Sequence, residues 1–135
     1  MRNAPLLLLC VMVVSMLAAC SFTTANYSDL HMASEIDADN NPLTITDTFS
    51  ADSPVIYVTG SMNNAPEGTM IAAEWIYAEE NPPTFIDVAE LEVNEISSSF
   101  HFSMTRPDNG WPAGEYEVNL YIDDELAETL SFTVE

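Results

Sequence analysis

The chain has 135 residues and a formal net charge of −20, with two basic side chains, Arg2 and Arg106, and no lysine. A field of that sign repels nucleic acid and anionic headgroups, and no basic face exists to recruit either, so nucleic-acid binding is not expected. The two histidines, His31 and His101, stand far apart in the chain and do not form a typical zinc motif.

At the start of the chain, Arg2 is followed by the apolar run LLLLCVMVVSM from Leu6 to Met16 and then by small residues. At about 1.5 Å per residue this run covers roughly half of a bilayer's hydrocarbon core, which suits an export signal better than a spanning helix. Leu17-Ala18-Ala19-Cys20 resembles the lipobox of bacterial lipoproteins. The resemblance implies that residues 1–19 are a cleaved signal peptide, that Cys20 carries a diacylglyceryl thioether, and that the new amino terminus is acylated with a fatty acid such as palmitate. One acyl chain anchors only marginally and two or three hold firmly, and the alkylation needs a thiolate that a serine would not supply. Ser21 follows the cysteine, where an inner-membrane retention signal would usually be an aspartate, so the resemblance implies the outer membrane of a two-membrane bacterium. With Cys10 in the signal and Cys20 lipidated, the mature domain has no thiol for a disulfide, a metal site or a nucleophile.

Residues 20–42 are polar and small, without a sustained period, and read as a lipidated cysteine followed by a flexible acidic tether. His31 is then a solvated residue. Asp37-Ala38-Asp39-Asn40-Asn41 begins like a calcium loop, but Pro42 stands where glycine is needed and Thr48 where glutamate is needed. No metal site and no cofactor is expected. The acidity fits a high-salt habitat, a cationic partner or divalent-cation binding.

Residues 43–135 suit one small domain. Alternating apolar runs predict strands near 43–49, 54–62, 69–78, 97–105, 114–122 and 126–134, with a short one between 84 and 94. The predicted class is all-β, an antiparallel sandwich of about seven strands. Phase assigns Ile71, Ala73, Trp75 and Tyr77 to one inner face, with Phe100, Phe102 and Met104, Tyr116, Val118, Leu120 and Ile122, and Leu126, Leu130, Phe132 and Val134 on others. Glu128 falls in the inward phase, which predicts a bulge or a strand edge there.

Trp75 within a third strand, Gly114-x-Tyr116-x-Val118 and a closing Phe132-x-Val134 resemble an immunoglobulin-like or fibronectin-III-like domain of bacterial surface proteins. The resemblance implies that Trp75 is a core tryptophan and that Tyr116 is a tyrosine corner tied back to the main chain. It departs from antibody domains in having no cysteine pair.

No nucleophile elbow, phosphate loop or zinc-protease helix is present, and the pairs Glu79-Glu80 and Asp123-Asp124 fall at turns, so no enzyme is expected. With Trp75 and Tyr116 inward, Glu74, Ile76, Glu117, Asn119 and Tyr121 point outward, and adjacency of their strands would bring Ile76 and Tyr121 near each other inside a carboxylate rim. Trp111, between turn residues, is either a plug beneath its loop or an exposed stacking platform. The expected function is a lipid-anchored, non-catalytic module of the cell envelope that contacts another envelope protein. The alternative is a hydrolase inhibitor or carbohydrate-binding accessory domain that uses Trp111 at one end of the sandwich.

Overall fold

Strict alternation of apolar and polar residues drives these segments into strands, because only a sheet with one covered face satisfies both sets of side chains. The protein is described here as a computed structural model covering residues 24–135; residues 1–19, expected to be a signal peptide, and Cys20 lie outside the described residues. Nine strands follow in chain order: β1 Asn26–Ile36, β2 Pro42–Ile45, β3 Thr48–Phe49, β4 Val55–Asn63, β5 Thr69–Tyr77, β6 Thr84–Val93, β7 Ser98–Thr105, β8 Gly114–Ile122 and β9 Glu125–Val134. They form a four-stranded sheet, ordered β2-β1-β4-β7, and a five-stranded sheet, ordered β3-β9-β8-β5-β6. Together these make an immunoglobulin-like β-sandwich.

The stretch expected to be a flexible tether is corrected by β1. Residues 26–36 form an eleven-residue strand that pairs antiparallel with β4, Met32 opposite Val58 and Ala33 opposite Tyr57. Its alternation is hidden in the sequence by a register shift between Ser28 and His31, with Asp29 at φ 53°. The five residues that opened like a calcium loop instead close the β1–β2 hairpin. Asp37 Oδ1 accepts hydrogen bonds from the main-chain N–H groups of Asp39 and Asn41, both at 2.9 Å. These bonds and one from the Asn41 side chain hold the Asp37 carboxyl below its ordinary pKa, the bonds from Asn41 being the larger cause.

The single strand predicted over 43–49 is two. β2 pairs with β1 in one sheet, while β3 crosses to the other and pairs parallel with β9, Phe49 beside Val134. The bulge expected near Glu128 is present: Leu120 faces Glu128 but Tyr121 faces Leu126, so one residue of β9 is skipped. The skip turns Leu126, expected inside, to the outer face, where it is 57% exposed. Glu128 keeps the inward phase yet is exposed, since β3 covers only the far end of β9.

Between the sheets lie Ile56, Val58, Met62, Phe100 and Phe102 from one side and Ile71, Trp75, Tyr116, Val118, Leu120 and Phe132 from the other. Trp75 is 1% exposed and meets Phe132 edge-on at 6.0 Å, while Phe132 stacks on Tyr116 at 5.0 Å. The Tyr116 hydroxyl donates to the Pro112 carbonyl four residues upstream, at 2.5 Å, so this residue forms a tyrosine corner. Gly114 opens that strand at φ 135°, and a Cβ there would sit 2.9 Å from the Glu79 carboxylate. That carboxylate accepts a hydrogen bond from the Glu115 N–H at 2.9 Å, so glycine at 114 makes room for the clasp.

Three buried or partly buried phenols make the sandwich sensitive to alkali. Burial, with the neighbouring Tyr77 adding to it, pushes Tyr116 up to about 12. Burial also raises Tyr27, whose hydroxyl donates to the Tyr121 carbonyl at 2.6 Å, and Tyr121 is raised as well. An unfolded tyrosine ionises near pH 10. The folded state therefore holds these protons more tightly, so the phenols' contribution to stability is complete below about pH 10 and declines as pH rises above it. Urea midpoints measured from pH 8 to pH 11.5 are expected to fall only above pH 10. A profile that stays flat to pH 11.5 would show the phenols ionising without cost.

Candidate functional site

The outer face of the five-stranded sheet is laid out by the antiparallel registers of β6, β5, β8 and β9. Residues directly opposite in such a ladder share a face, so the pairs line up in rows across it. One row runs Leu126, Tyr121, Ala72, Glu90; the next Thr129, Asn119, Glu74, Val88; the third Ser131, Glu117, Ile76, Phe85.

Ile76 and Tyr121 do occupy one face, but they are not neighbours. Ile76 pairs with Glu117 and Tyr121 with Ala72, four residues along β5, or about 13 Å of strand. Side-by-side strands share a face without sharing a position, and the register separates the two. Glu74 lies between them and organises the face: its Oε1 accepts from the Tyr121 hydroxyl at 3.2 Å and from Asn119 Nδ2 at 3.1 Å. The row continues with Thr129 Oγ1 donating to Asn119 Oδ1 at 2.7 Å. Burial, then the Glu74 charge and its hydrogen bond, raise the Tyr121 phenol. The phenol is thus held as a neutral donor to a carboxylate.

The apolar partner of Ile76 is Phe85, across the β5–β6 ladder and 57% exposed. Sequence reasoning missed Phe85 and Val88 because only a short strand was expected between 84 and 94, with no phase assigned to it. Ala72, Glu74, Val88, Glu90, Tyr121 and Asp124 surround a shallow depression of about 250 Å³.

Trp111 is a plug. It is 4% exposed, its Nε1 donates to the Ser53 carbonyl at 2.7 Å, and its ring meets Tyr116 edge-on at 6.4 Å. It therefore cannot serve as the stacking platform for a partner or a sugar. Arg106, on the same loop, donates to the Asp52 carbonyl at 3.3 Å.

The titratable side chains singled out for chemistry build turns and ladders. Glu79 clasps the start of β8, Glu80 accepts from Thr84 Oγ1 at 2.8 Å, and Asp123 accepts from the Met70 N–H at 3.0 Å. Asp123 and Asp124 have φ of 46° and 68°, the left-handed pair that a two-residue hairpin turn requires. His31 and His101 flank Thr59 in one row of the other sheet, and His101 Nδ1 lies 2.7 Å from Asn40 Oδ1, joining β7 to the β1–β2 hairpin. Among the described residues, no three His, Cys, Asp or Glu side chains converge as metal ligands.

No family model and no curated protein matches the chain. Among solved structures it is similar to an immunoglobulin-like protein from Pseudomonas aeruginosa, with a TM-score of 0.56 and 12% identity over 86% of this chain and 100% of that one. It is also similar to part of an alkylpurine DNA glycosylase from Pseudomonas fluorescens bound to DNA containing an abasic-site analogue, with a TM-score of 0.54 and 8% identity. That likeness covers 84% of this chain but spans only 31% of the glycosylase. At such identities the likenesses establish the immunoglobulin-like fold, a scaffold that hosts many functions.

Proposed function

We propose that this protein is a lipid-anchored, non-catalytic module of the bacterial cell envelope that contacts another envelope protein through the outer face of its five-stranded sheet. The observation that carries the reading is that face itself. Ile76, Phe85, Val88, Tyr121 and Leu126 stand among Glu74, Glu90 and Glu117, with Tyr121 oriented by Glu74. Exposed apolar side chains interleaved with carboxylates, with a hydrogen-bonded tyrosine among them, are features of a modest protein-binding surface. Of the acidic pairs that the sequence places at turns, Glu79, Glu80 and Asp123 accept hydrogen bonds there, which favours binding over chemistry. The end-loop alternative loses its contact residue with Trp111 buried.

The anchor rests on the lipobox and acquires a geometry from β1. Only residues 21–25 separate Cys20 from the first strand, a reach of at most about 22 Å. Asn26 pairs with Asn63 and so begins at the end of the sandwich that carries the β4–β5 and β8–β9 turns. A lipid on Cys20 thus holds that end at the bilayer, with the Trp111 loop away from it and the outer sheet face exposed on the flank.

Two measurements test the proposal. Cys20→Ala is expected to abolish lipid labelling and membrane association while the circular dichroism of the domain stays that of a folded sheet. In the lipidated protein, Ile76→Ser combined with Tyr121→Ser is expected to weaken capture of an envelope partner tenfold or more, about 1.4 kcal/mol. An unmodified Cys20 removes the anchor, and unchanged capture by the folded double variant removes the face.

A further inference from the structure

The strand at the margin of the proposed face, β6, has an unusual exposure. It is ten residues long, ends its sheet, and pairs on one side only, with β5. Of the inward-phase residues of β6, Val93 is buried and Ala89 packs against the core, but two others are uncovered. Leu91, opposite the buried Ile71, is 42% exposed, and Asp87, opposite the buried Trp75, is exposed as well. The four-stranded sheet stops at β7, so β6 overhangs it, and the gap between them is a groove of about 440 Å³ bordered by Ile86, Asp87, Met104 and Trp111. Phe85, Ile86, Val88 and Leu91 thus expose apolar surface on both faces of a single edge strand.

Between Thr84 and Val93 there is no lysine or proline; the strand is guarded instead by a bulge at Ile86, the inward-phase carboxylate of Asp87, and Glu90 and Glu92. The free side of the ladder can be located. Val88 N–H donates to the carboxylate of Asp87 at 2.8 Å, so this N–H points away from β5. Main-chain groups alternate sides along a strand, and the regular register from Glu74–Val88 to Met70–Glu92 places Glu90 and Glu92 on the same free side. The Asp87 carboxylate occupies the place at Val88 that a neighbouring strand's carbonyl would take.

We infer, on the footing of the binding module proposed above, that β6 is a docking edge to which a partner adds an extended, lysine- or arginine-bearing strand. Charge decides the occupant. Asp87, Glu90 and Glu92 lie along the edge, and Arg106 is the one basic side chain among the described residues. A second copy of β6 would oppose like charges, which disfavours self-pairing across the edge. A cationic strand instead sets its charges across from Glu90 and Glu92, lays its lysine stems along Phe85 and Val88, and turns its apolar residues toward Ile86 and Leu91 over the groove. Main-chain bonds supply the affinity and alternate side chains the selection, as in strand addition generally.

The probe is a blocked ten-residue peptide of alternating lysine and valine, titrated into the folded 24–135 domain attached to its native residues 20–23 at low ionic strength. Two controls accompany it: a glutamate–valine peptide of the same length, and the lysine–valine peptide with every backbone nitrogen methylated. Saturating lysine–valine peptide is expected to slow amide exchange at Val88, Glu90 and Glu92 at least tenfold. Exchange on β7 should be unchanged. The glutamate peptide should bind at least a hundredfold more weakly and the N-methylated one at least tenfold more weakly. Equal binding of the N-methylated peptide, or unaltered exchange at those amides, would reduce the interaction to charge adsorption and overturn the edge. Val88→Pro, which deletes an N–H not used by β5, should weaken the peptide tenfold in a variant that remains folded; unchanged affinity there also overturns it. Envelope capture that depends on Ile76 and Tyr121 while the β6 amides stay unprotected rejects the edge and leaves the binding module standing. Protected amides with capture indifferent to Ile76 and Tyr121 reject the sheet face and keep the edge.

Discussion

A chain beginning at Leu43 is expected not to fold. The cut lies at the boundary that composition suggests, but it removes β1, which stands second in the order β2-β1-β4-β7. Met32 and Ala33 leave the interior with it, at 4% and 0% exposure in the intact protein. Losing a buried methionine alone costs about 2–5 kcal/mol. To that are added the β1–β4 ladder from Asn26–Asn63 to Ala33–Tyr57, the Tyr27–Phe100 ring contact at 5.4 Å, and the bond from Tyr27 to the Tyr121 carbonyl that ties the two sheets together. A domain of this size has a total stability of about 5–15 kcal/mol, so the deficit consumes most or all of it. Circular dichroism and a urea melt of residues 24–135 against 43–135 decide the matter. A cooperative transition in the shorter chain with the midpoint of the longer one would restore the tether reading and remove β1 from the folded unit.

Trp75→Ala is expected to destabilise the sandwich by roughly 3–5 kcal/mol while leaving its strand content recognisable. The indole is buried at the centre of β5, between β6 and β8, and its edge-on contact with Phe132 continues through the Phe132–Tyr116 stack to Trp111. Truncation leaves a cavity that a two-sheet core cannot close, since both sheets are held apart by the remaining large residues. The measurement is the urea midpoint at constant slope. Destabilisation below about 1 kcal/mol would mean that the site collapses around alanine and that the aromatic chain contributes little.

Both experiments also bear on how the function is reached. If Cys20 is lipidated as proposed, the short link of residues 21–25 would make orientation on a membrane a consequence of the fold, because the start of β1 fixes which end of the sandwich the lipid would hold. The same strand arrangement leaves β6 overhanging.

How much of this was legible in the sequence differs from strand to strand. GEYEVNLYID alternates without interruption, and each of its residues lies on the face that phase assigns, with Tyr116, Val118, Leu120 and Ile122 buried. TMIAAEWIYA and SSFHFSMT behave alike. Glu128 announced the bulge in β9 by being out of place, although not that Leu126 would be the residue turned outward. In contrast, NYSDLHMASEI carries its alternation across a shift at Asp29, and its few apolar residues beside Asp29 and Glu35 look like those of a solvated segment. The division of residues 43–49 between two sheets likewise left no local trace.

By itself, then, the sequence determined the all-β class, the inward sets of β5, β7 and β8, the core tryptophan and the tyrosine corner, and the acidity that shapes any partner's charge. Those properties are local: they depend on period, turn chemistry and residue type, and each strand carries them alone. Tertiary structure decided that β1 belongs to the domain, that Ile76 faces Phe85 and not Tyr121, that Trp111 is covered, and that Leu91 and Ile86 are bare. Each of those depends on which strand lies alongside and in what register, and a pattern of alternation specifies a face to bury without specifying what buries it.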